Sequence, residues 1–207
     1  MRYEKKEFLI LFILYIPVEV FMVISSYLTI PPNWAEKVSL SHVWQTSILN
    51  LLRGAEQRSG LFTRPRLKMS YQLDLLDAAQ MRWWRRNLHR HQHEIWGVPI
   101  WPDNVPLTAP AAAGQKIIGI ASTSNRHHHY LGLVILIAAH DPMTFEVGTV
   151  TGLHETWVRL AANLTQDWPA GSLLYPLVPF RLAAEIEETV YVPAMIGIQL
   201  SLVEAVE

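Results

Sequence analysis

Histidine is the residue type in this chain best suited to chemistry, because imidazole binds zinc and exchanges protons near neutral pH. Nine histidines are present, and most lie at residues 89–93 and 127–129. Within a helix only His89 and His93 would share a face, since they lie about one turn apart. A zinc site built from these clusters would indicate a metal-dependent hydrolase. Solvated or interfacial histidines are the favoured interpretation, and we expect 127–129 to form an exposed turn.

The two His-Glu pairs of the chain do not complete a zinc-protease motif. That motif needs a second histidine at its fifth position. The pair at 93–94 is followed by Gly97 at this position, and the pair at 154–155 by Val158. The sequence also lacks the glycine-flanked serine of esterases and the glycine loops that bind phosphate or dinucleotides. Without cysteine it has no disulfide, thiolate site or cysteine nucleophile. We therefore predict no catalytic, cofactor-binding or metal-binding residues, and a protein that is not an enzyme.

A second chemical feature is the run Arg-Trp-Trp-Arg-Arg at residues 82–86. Cations mixed with aromatic rings can bind single-stranded nucleic acid by stacking and phosphate contacts. The same run also suits a helix that packs its tryptophans inward and pairs its arginines with a neighbouring subunit. The net charge of −1 gives no support for a nucleic-acid partner, so the interface interpretation is favoured.

The element that must position this run is a helix predicted over residues 72–95. Leu73, Leu76, Ala79 and Trp83 follow helical spacing, and neither glycine nor proline interrupts the segment. Acidic residues lie early and arginines late, which complements the helix dipole.

The rest of the chain predicts β-structure. After residue 108, probable strands recur about every ten residues with turn signals between them, which is typical of sandwiches and barrels. The predicted strands are Lys116–Ser122, Leu131–Ala139, a strand on which Phe145, Val147 and Thr149 alternate, Thr156–Leu160, Leu173–Leu182, Ile186–Val192 and Met195–Val203. We predict a mainly β fold with one main α-helix (α+β), built from β-sandwich or barrel-like domains. The expected division is an N-terminal β domain at 1–107, which carries the helix, and a C-terminal all-β domain at 108–207.

The most apolar segment, Phe8–Ile30, admits three interpretations. Two buried strands, Phe8–Ile16 and Val18–Ile30, are favoured because Pro17 and Glu19 interrupt the segment and its residue types suit strands. A transmembrane helix over Phe8–Ile30 would instead make this a membrane-anchored β-rich protein, since its length suffices to cross a bilayer. A retained signal-like segment is the third interpretation.

Composition points to a surface that meets other molecules. Half of the residues are apolar, and Asp, Glu, Lys and Arg make up 17%, against about a quarter in soluble domains. A surface so short of charge is expected to be covered by other subunits or by lipid. Eight tryptophans strengthen this expectation, because tryptophan is enriched at protein interfaces.

Short motifs follow one another in a characteristic order. They are Pro32-Asn33-Trp34, Gly54–Arg58, Pro65-Arg66, Leu75–Ala79, Trp96, Trp101–Asp103, Asp167–Gly171 and Tyr175–Leu177. This order resembles tail proteins of long-tailed bacteriophages and their prophage relatives, of the distal tail or baseplate hub type. The resemblance does not extend to Met1–Ile30.

The resemblance implies a structural virion protein, located in the phage tail and assembled in the host cytoplasm. Such proteins form a ring, here expected to be hexameric, that joins the tail tube to the baseplate or tail tip and supports fibres. Its partners would be further copies of itself, the tail tube, the tape measure, the baseplate hub and tail fibre proteins. Neither nucleic acid nor membrane is expected as a partner. We expect the subunit contacts to include Trp83, Trp84, Arg85, Arg86 and Trp101.

Overall fold

Alternating apolar and polar residues place most of this protein in β-strands. The structure, a computed structural model, describes residues 23–44, 46–50, 56–60, 64–91, 93–124, 132–182, 186–192 and 195–205. In chain order the elements are β1 Ser26–Tyr27, β2 Ser39–Val43, β3 Thr46–Asn50, β4 Glu56–Gly60, β5 Arg66–Leu75, α1 Ala78–His91, β6 Trp96–Pro99, β7 Val105–Pro106, β8 Ile117–Gly119, β9 Gly132–Ala138, β10 Asp141–Leu153, β11 Trp157–Leu160, β12 Leu173–Leu182, β13 Glu187–Val192 and β14 Met195–Glu204. The predicted mainly β fold with one helix is confirmed.

Twelve of the described strands belong to one sheet. Its main path runs β2-β5-β14-β12-β9-β10-β11-β8, and β1, β6, β7 and β13 join it from the side. Neighbouring strands are antiparallel, except that β1 runs parallel to β6. The other two strands, β3 and β4, form a separate hairpin sheet.

The strand β12 is shared between two apolar clusters. The larger cluster gathers around α1, β5, β6 and β14, and the smaller one around β8, β9 and β11. Leu174 of β12 belongs to the smaller cluster, whereas Tyr175, Leu177 and Phe180 belong to the larger one. Strands from both sides of residue 107 also pair, as β5 does with β14. The predicted division at residues 107 and 108 stays a prediction.

The helix begins later than its predicted start at residue 72. Residues 72–75 instead continue β5, where Leu73 and Leu75 pair with Ile198 and Ile196 of β14 and are fully buried. Pairing across the sheet therefore overrides the helical spacing of the leucines. Helix α1 also ends at His91, before the predicted end at residue 95.

The N-terminal apolar segment is described only from residue 23. Residues 23–30 contain the two-residue strand β1 and no helix. In this part the favoured strand Val18–Ile30 is therefore found only at Ser26–Tyr27, and the alternative of a helix that reaches Ile30 is wrong. Within the described part of the chain, no helix is long and apolar enough to span a membrane. Phe8–Ile16, and the choice between strand and membrane helix for residues 8–22, lie outside the described residues.

Candidate functional site

Hydrogen bonds of Asp77 and Gln80 define the start of helix α1. Asp77 precedes the helix, and its Oδ1 accepts hydrogen bonds from the backbone N–H groups of Ala79 at 2.7 Å and Gln80 at 2.8 Å. Gln80 Oε1 accepts in turn from the backbone N–H of Leu76 at 3.0 Å. This exchange resembles a capping box, which satisfies the free N–H groups of a first helical turn.

The inward face of α1 packs tryptophan into the core. Trp84 is 1% exposed, and its indole N–H donates to Glu188 Oε1 at 2.8 Å. The ring of Trp96 lies 6.2 Å from that of Trp84 and 6.3 Å, edge-on, from that of the half-buried Trp83. We refer to Trp83, Trp84 and Trp96 as the indole cluster.

Trp101 is also a core residue. It is 1% exposed and packs edge-on against Tyr175, with the ring centroids 5.2 Å apart. Neither Trp84 nor Trp101 reaches the surface, so the expectation that they contact a partner is corrected: their own chain covers them. The half-buried Trp83 and the exposed Arg85 and Arg86 remain as candidate contacts.

Two tyrosines beside Trp101 have perturbed acidity. Burial raises the pKa of Tyr175 from 10 to about 12. Burial also raises the pKa of Tyr71 well above its ordinary value, and the neighbouring Trp101 indole opposes this rise. The Tyr71 hydroxyl and the Trp101 N–H nevertheless make no hydrogen bond of good geometry. Neutral phenols in a packed core are suited to packing, not to proton transfer near neutral pH.

All the charged side chains on the outward face of α1 are cationic. Arg82, Arg85, Arg86 and Arg90 are exposed, and the sequence holds no Asp or Glu between residues 78 and 93. None of these four guanidinium groups forms an ion pair with a carboxylate in the described ranges. We refer to the four residues as the arginine face. Of the two tryptophans beside them, Trp84 is buried and Trp83 is half-buried, so this face presents little aromatic surface for base stacking.

The loop that carries the Pro-Asn-Trp motif is held tightly to β5. The Asn33 backbone N–H donates to the Gln72 carbonyl at 2.7 Å, and its side-chain amide donates to Asp74 Oδ2 at 2.8 Å. Asn33 Oδ1 accepts from the backbone N–H of Ala35 at 2.9 Å. Trp34 itself is 58% exposed. Asn33 therefore anchors this loop, and Trp34 faces solvent.

Apolar side chains surround the exposed indole. Trp34 lines a cavity of about 320 Å³ together with Leu76, which is 65% exposed. The other lining residues are Ile30, Pro31, Pro32, Asn33, Asp74, Gln80 and Pro142. We refer to this cavity as the Trp34 groove. Its walls are mostly apolar, and the Asp74 carboxylate already accepts a hydrogen bond from the Asn33 side chain. The groove is therefore better suited to binding an apolar side chain of a partner than to catalysis.

A second cavity lies where the end of β14 meets the start of β5. It has a volume of about 340 Å³ and is lined by His42, Arg64, Pro65, Leu67, Val178 and Glu204. Glu204 Oε1 pairs with Arg64 Nη1 at 2.8 Å, and Oε2 accepts from the backbone N–H of Leu67 at 2.8 Å. Both carboxylate oxygens are therefore engaged in holding the end of β14 to the start of β5.

The histidines do not converge in the part of the chain that the structure describes. Those residues contain no group of three His, Asp or Glu side chains placed to hold a metal ion. His93 lies 3.9 Å from its neighbour Glu94, and His154 stacks on Trp157 with ring centroids 5.3 Å apart. The triplet 127–129 lies outside the described residues.

Comparison with known proteins does not assign the chain to a family. No protein-family model matches the chain, and no curated protein is significantly similar to it.

Proposed function

We propose that this protein is a structural subunit of a long-tailed bacteriophage tail, of the distal tail or baseplate hub type. It forms a cyclic ring, expected to be hexameric, between the tail tube and the baseplate or tail tip. The observation that carries the proposal is the Trp34 loop. Its backbone and Asn33 side chain are fixed by hydrogen bonds, yet its tryptophan is held outside the fold.

A rigidly held, exposed tryptophan is the arrangement expected of an interface anchor. Tryptophan is enriched among the residues that dominate binding energy, and such residues insert into apolar pockets of the partner. Holding the loop rigid beforehand lowers the ordering cost of association. The Trp34 groove beside it offers apolar lining to a side chain from a neighbouring copy. Closed cyclic symmetry would then cover this surface in every subunit.

The arginine face provides a second surface, suited to a different tail component. Guanidinium groups bind carboxylates through two parallel hydrogen bonds, so a partner with an acidic surface would match it. Among the described residues these arginines lack ion-pair partners in their own chain, which leaves them available. The tail tube, tape measure, hub and fibre proteins are the candidate partners implied by the motif resemblance.

The native mass of the purified chain tests the ring. We expect sedimentation and native mass spectrometry to give one closed assembly, and electron microscopy to show a ring. Trp34→Ala should weaken assembly by about 30-fold or more, the loss expected for an anchor worth about 2 kcal/mol. Ile117→Ala, which removes another exposed apolar side chain far along the sheet path, is the matched control and should leave the mass unchanged. A stable monomer at high protein concentration would contradict the proposal.

A further inference from the structure

Two free edges flank one four-stranded part of the sheet, β2-β5-β14-β13. Among the described strands β2 pairs only with β5, and β13 pairs only with β14. All six residues of β13 are exposed, including Val190 at 63% and Tyr191 at 51%. The outer end of β2 is exposed as well, at Ser41, His42 and Val43. An edge strand of this kind presents unpaired N–H and C=O groups that another strand can bind.

The two edges are similar in length, and β13 has an acidic end. Strand β2 has five residues and β13 has six. Glu187 and Glu188 form that end, and the Trp84 indole N–H of the same chain donates to Glu188 Oε1; His42 lies on β2, and Glu36 and Lys37 come just before it. Opposite charges on facing strands stabilise a pairing, and like charges destabilise it.

We propose that β13 of one copy pairs antiparallel with β2 of the next copy, so that the sheet continues head-to-tail around the assembly. The proposal rests on the ring-forming function proposed above. Within one copy the four strands alternate in direction, because each of the three pairings is antiparallel. A neighbour in the same orientation therefore presents β13 antiparallel to β2. The register that places His42 opposite Glu188 of the next copy also places Ser41 opposite Thr189.

A symmetric pairing of two β13 strands is less well supported. It would be antiparallel and would place the acidic ends of the two copies at opposite ends of the ribbon, so no attraction between opposite charges would favour it. It would also close a two-fold dimer instead of a ring.

The Trp34 loop and β13 are linked across the same part of the sheet. Asp74, which holds Asn33, also accepts from Gln72 Nε2 at 3.2 Å, and Gln72 Nε2 lies 3.1 Å from the Tyr191 hydroxyl. Tyr191 covers Gly197, where an added Cβ would lie 2.7 Å from the tyrosine ring. Because Trp34 lies a short turn before β2, a neighbour seated on β2 would also reach the Trp34 loop. Edge pairing and the indole contact would thus form one continuous interface.

Thiol cross-linking tests the pairing cleanly, because the natural chain contains no cysteine. The double variant Ser41→Cys, Thr189→Cys is treated with a mild oxidant or a short bifunctional thiol reagent and run on a denaturing gel. We expect a ladder of covalent oligomers that ends at the ring number. Ser39→Cys with Ser70→Cys is the reagent control, since these residues are partners on β2 and β5 of one chain and should link without forming oligomers.

Each alternative outcome is distinct. An assembly of normal mass without a ladder would overturn the edge pairing and leave the ring intact. Covalent dimers from Thr189→Cys alone would show β13 pairing with itself and would overturn the head-to-tail arrangement. A monomeric chain would overturn both the ring and the pairing.

Discussion

The indole cluster and the Trp34 loop place the same type of side chain in opposite surroundings. Trp84 is covered by its own chain, lies tilted against Trp96 and is hydrogen-bonded to Glu188. Trp34 is carried by a loop with equally definite hydrogen bonds, but its ring remains in solvent. A high tryptophan content therefore does not indicate an interface by itself. The two tryptophans differ in what covers them: the Trp84 ring is buried and bonded to Glu188, whereas the bonds of the Trp34 loop hold Asn33 to β5 and leave the Trp34 ring 58% exposed.

This comparison predicts very different costs for removing the two rings. Trp84→Ala should lower the free energy of unfolding by about 3–5 kcal/mol, because it leaves a cavity in the core. Trp34→Ala should change it by no more than about 0.5 kcal/mol, as for other exposed positions. Urea unfolding of both variants, measured at protein concentrations below assembly, provides the check. Equal costs for the two changes would contradict the division between a buried and a displayed tryptophan.

The buried region should also respond to alkaline pH. The folded pKa of Tyr175 is about 12 against 10 in the unfolded chain, so the neutral phenol stabilises the fold fully below pH 10. That contribution, about 2–3 kcal/mol at most, is lost as the pH rises from 10 to 12. Denaturant unfolding across this range should show a steep fall in the wild type and a shallower one in Tyr175→Phe. A phenol that titrates near pH 10 in the folded protein, seen by ultraviolet absorbance, would count against its burial.

Asn33 anchors the loop that carries the exposed ring. Asn33→Ala removes the hydrogen bonds to Asp74 and Ala35 and should cost about 1–2 kcal/mol in unfolding free energy. It should also weaken assembly, because Trp34 loses its fixed direction. Asn104→Ala is the matched control, since that amide makes one longer bond of 3.2 Å to the Trp101 carbonyl. If Asn33→Ala and its control assemble equally well, the hydrogen bonds of the loop do not position the indole.

Much of the fold could be predicted from the sequence, because apolar and polar residues alternate regularly along strands with one buried face. The predicted strand Leu173–Leu182 coincides with β12, and Met195–Val203 with all but the last residue of β14. The start of the helix could not be predicted correctly, because Leu73 and Leu76 have helical spacing. Leu73 belongs to a strand only because it pairs with Ile198 of β14.

The candidate site was harder to predict, because exposure depends on contacts distant in sequence. The spacing of Trp83 and Trp84 does not show which ring meets Trp96, and Trp101 is buried against Tyr175, far along the chain. The one local signal was the asparagine after two prolines, since asparagine often bonds to the backbone two residues on. That signal locates a turn, but it does not show that the following tryptophan faces solvent.

The shared strand β12 has a mechanical consequence. Its Leu174 side chain is built into the smaller apolar cluster and its Tyr175, Leu177 and Phe180 side chains into the larger one, so the two clusters cannot separate without breaking the hydrogen bonds of β12 to its neighbours. We expect heat or denaturant to melt both in a single cooperative step, and a load applied at one end to be transmitted to the other. For a part held between two larger assemblies, such stiffness would preserve the spacing between them.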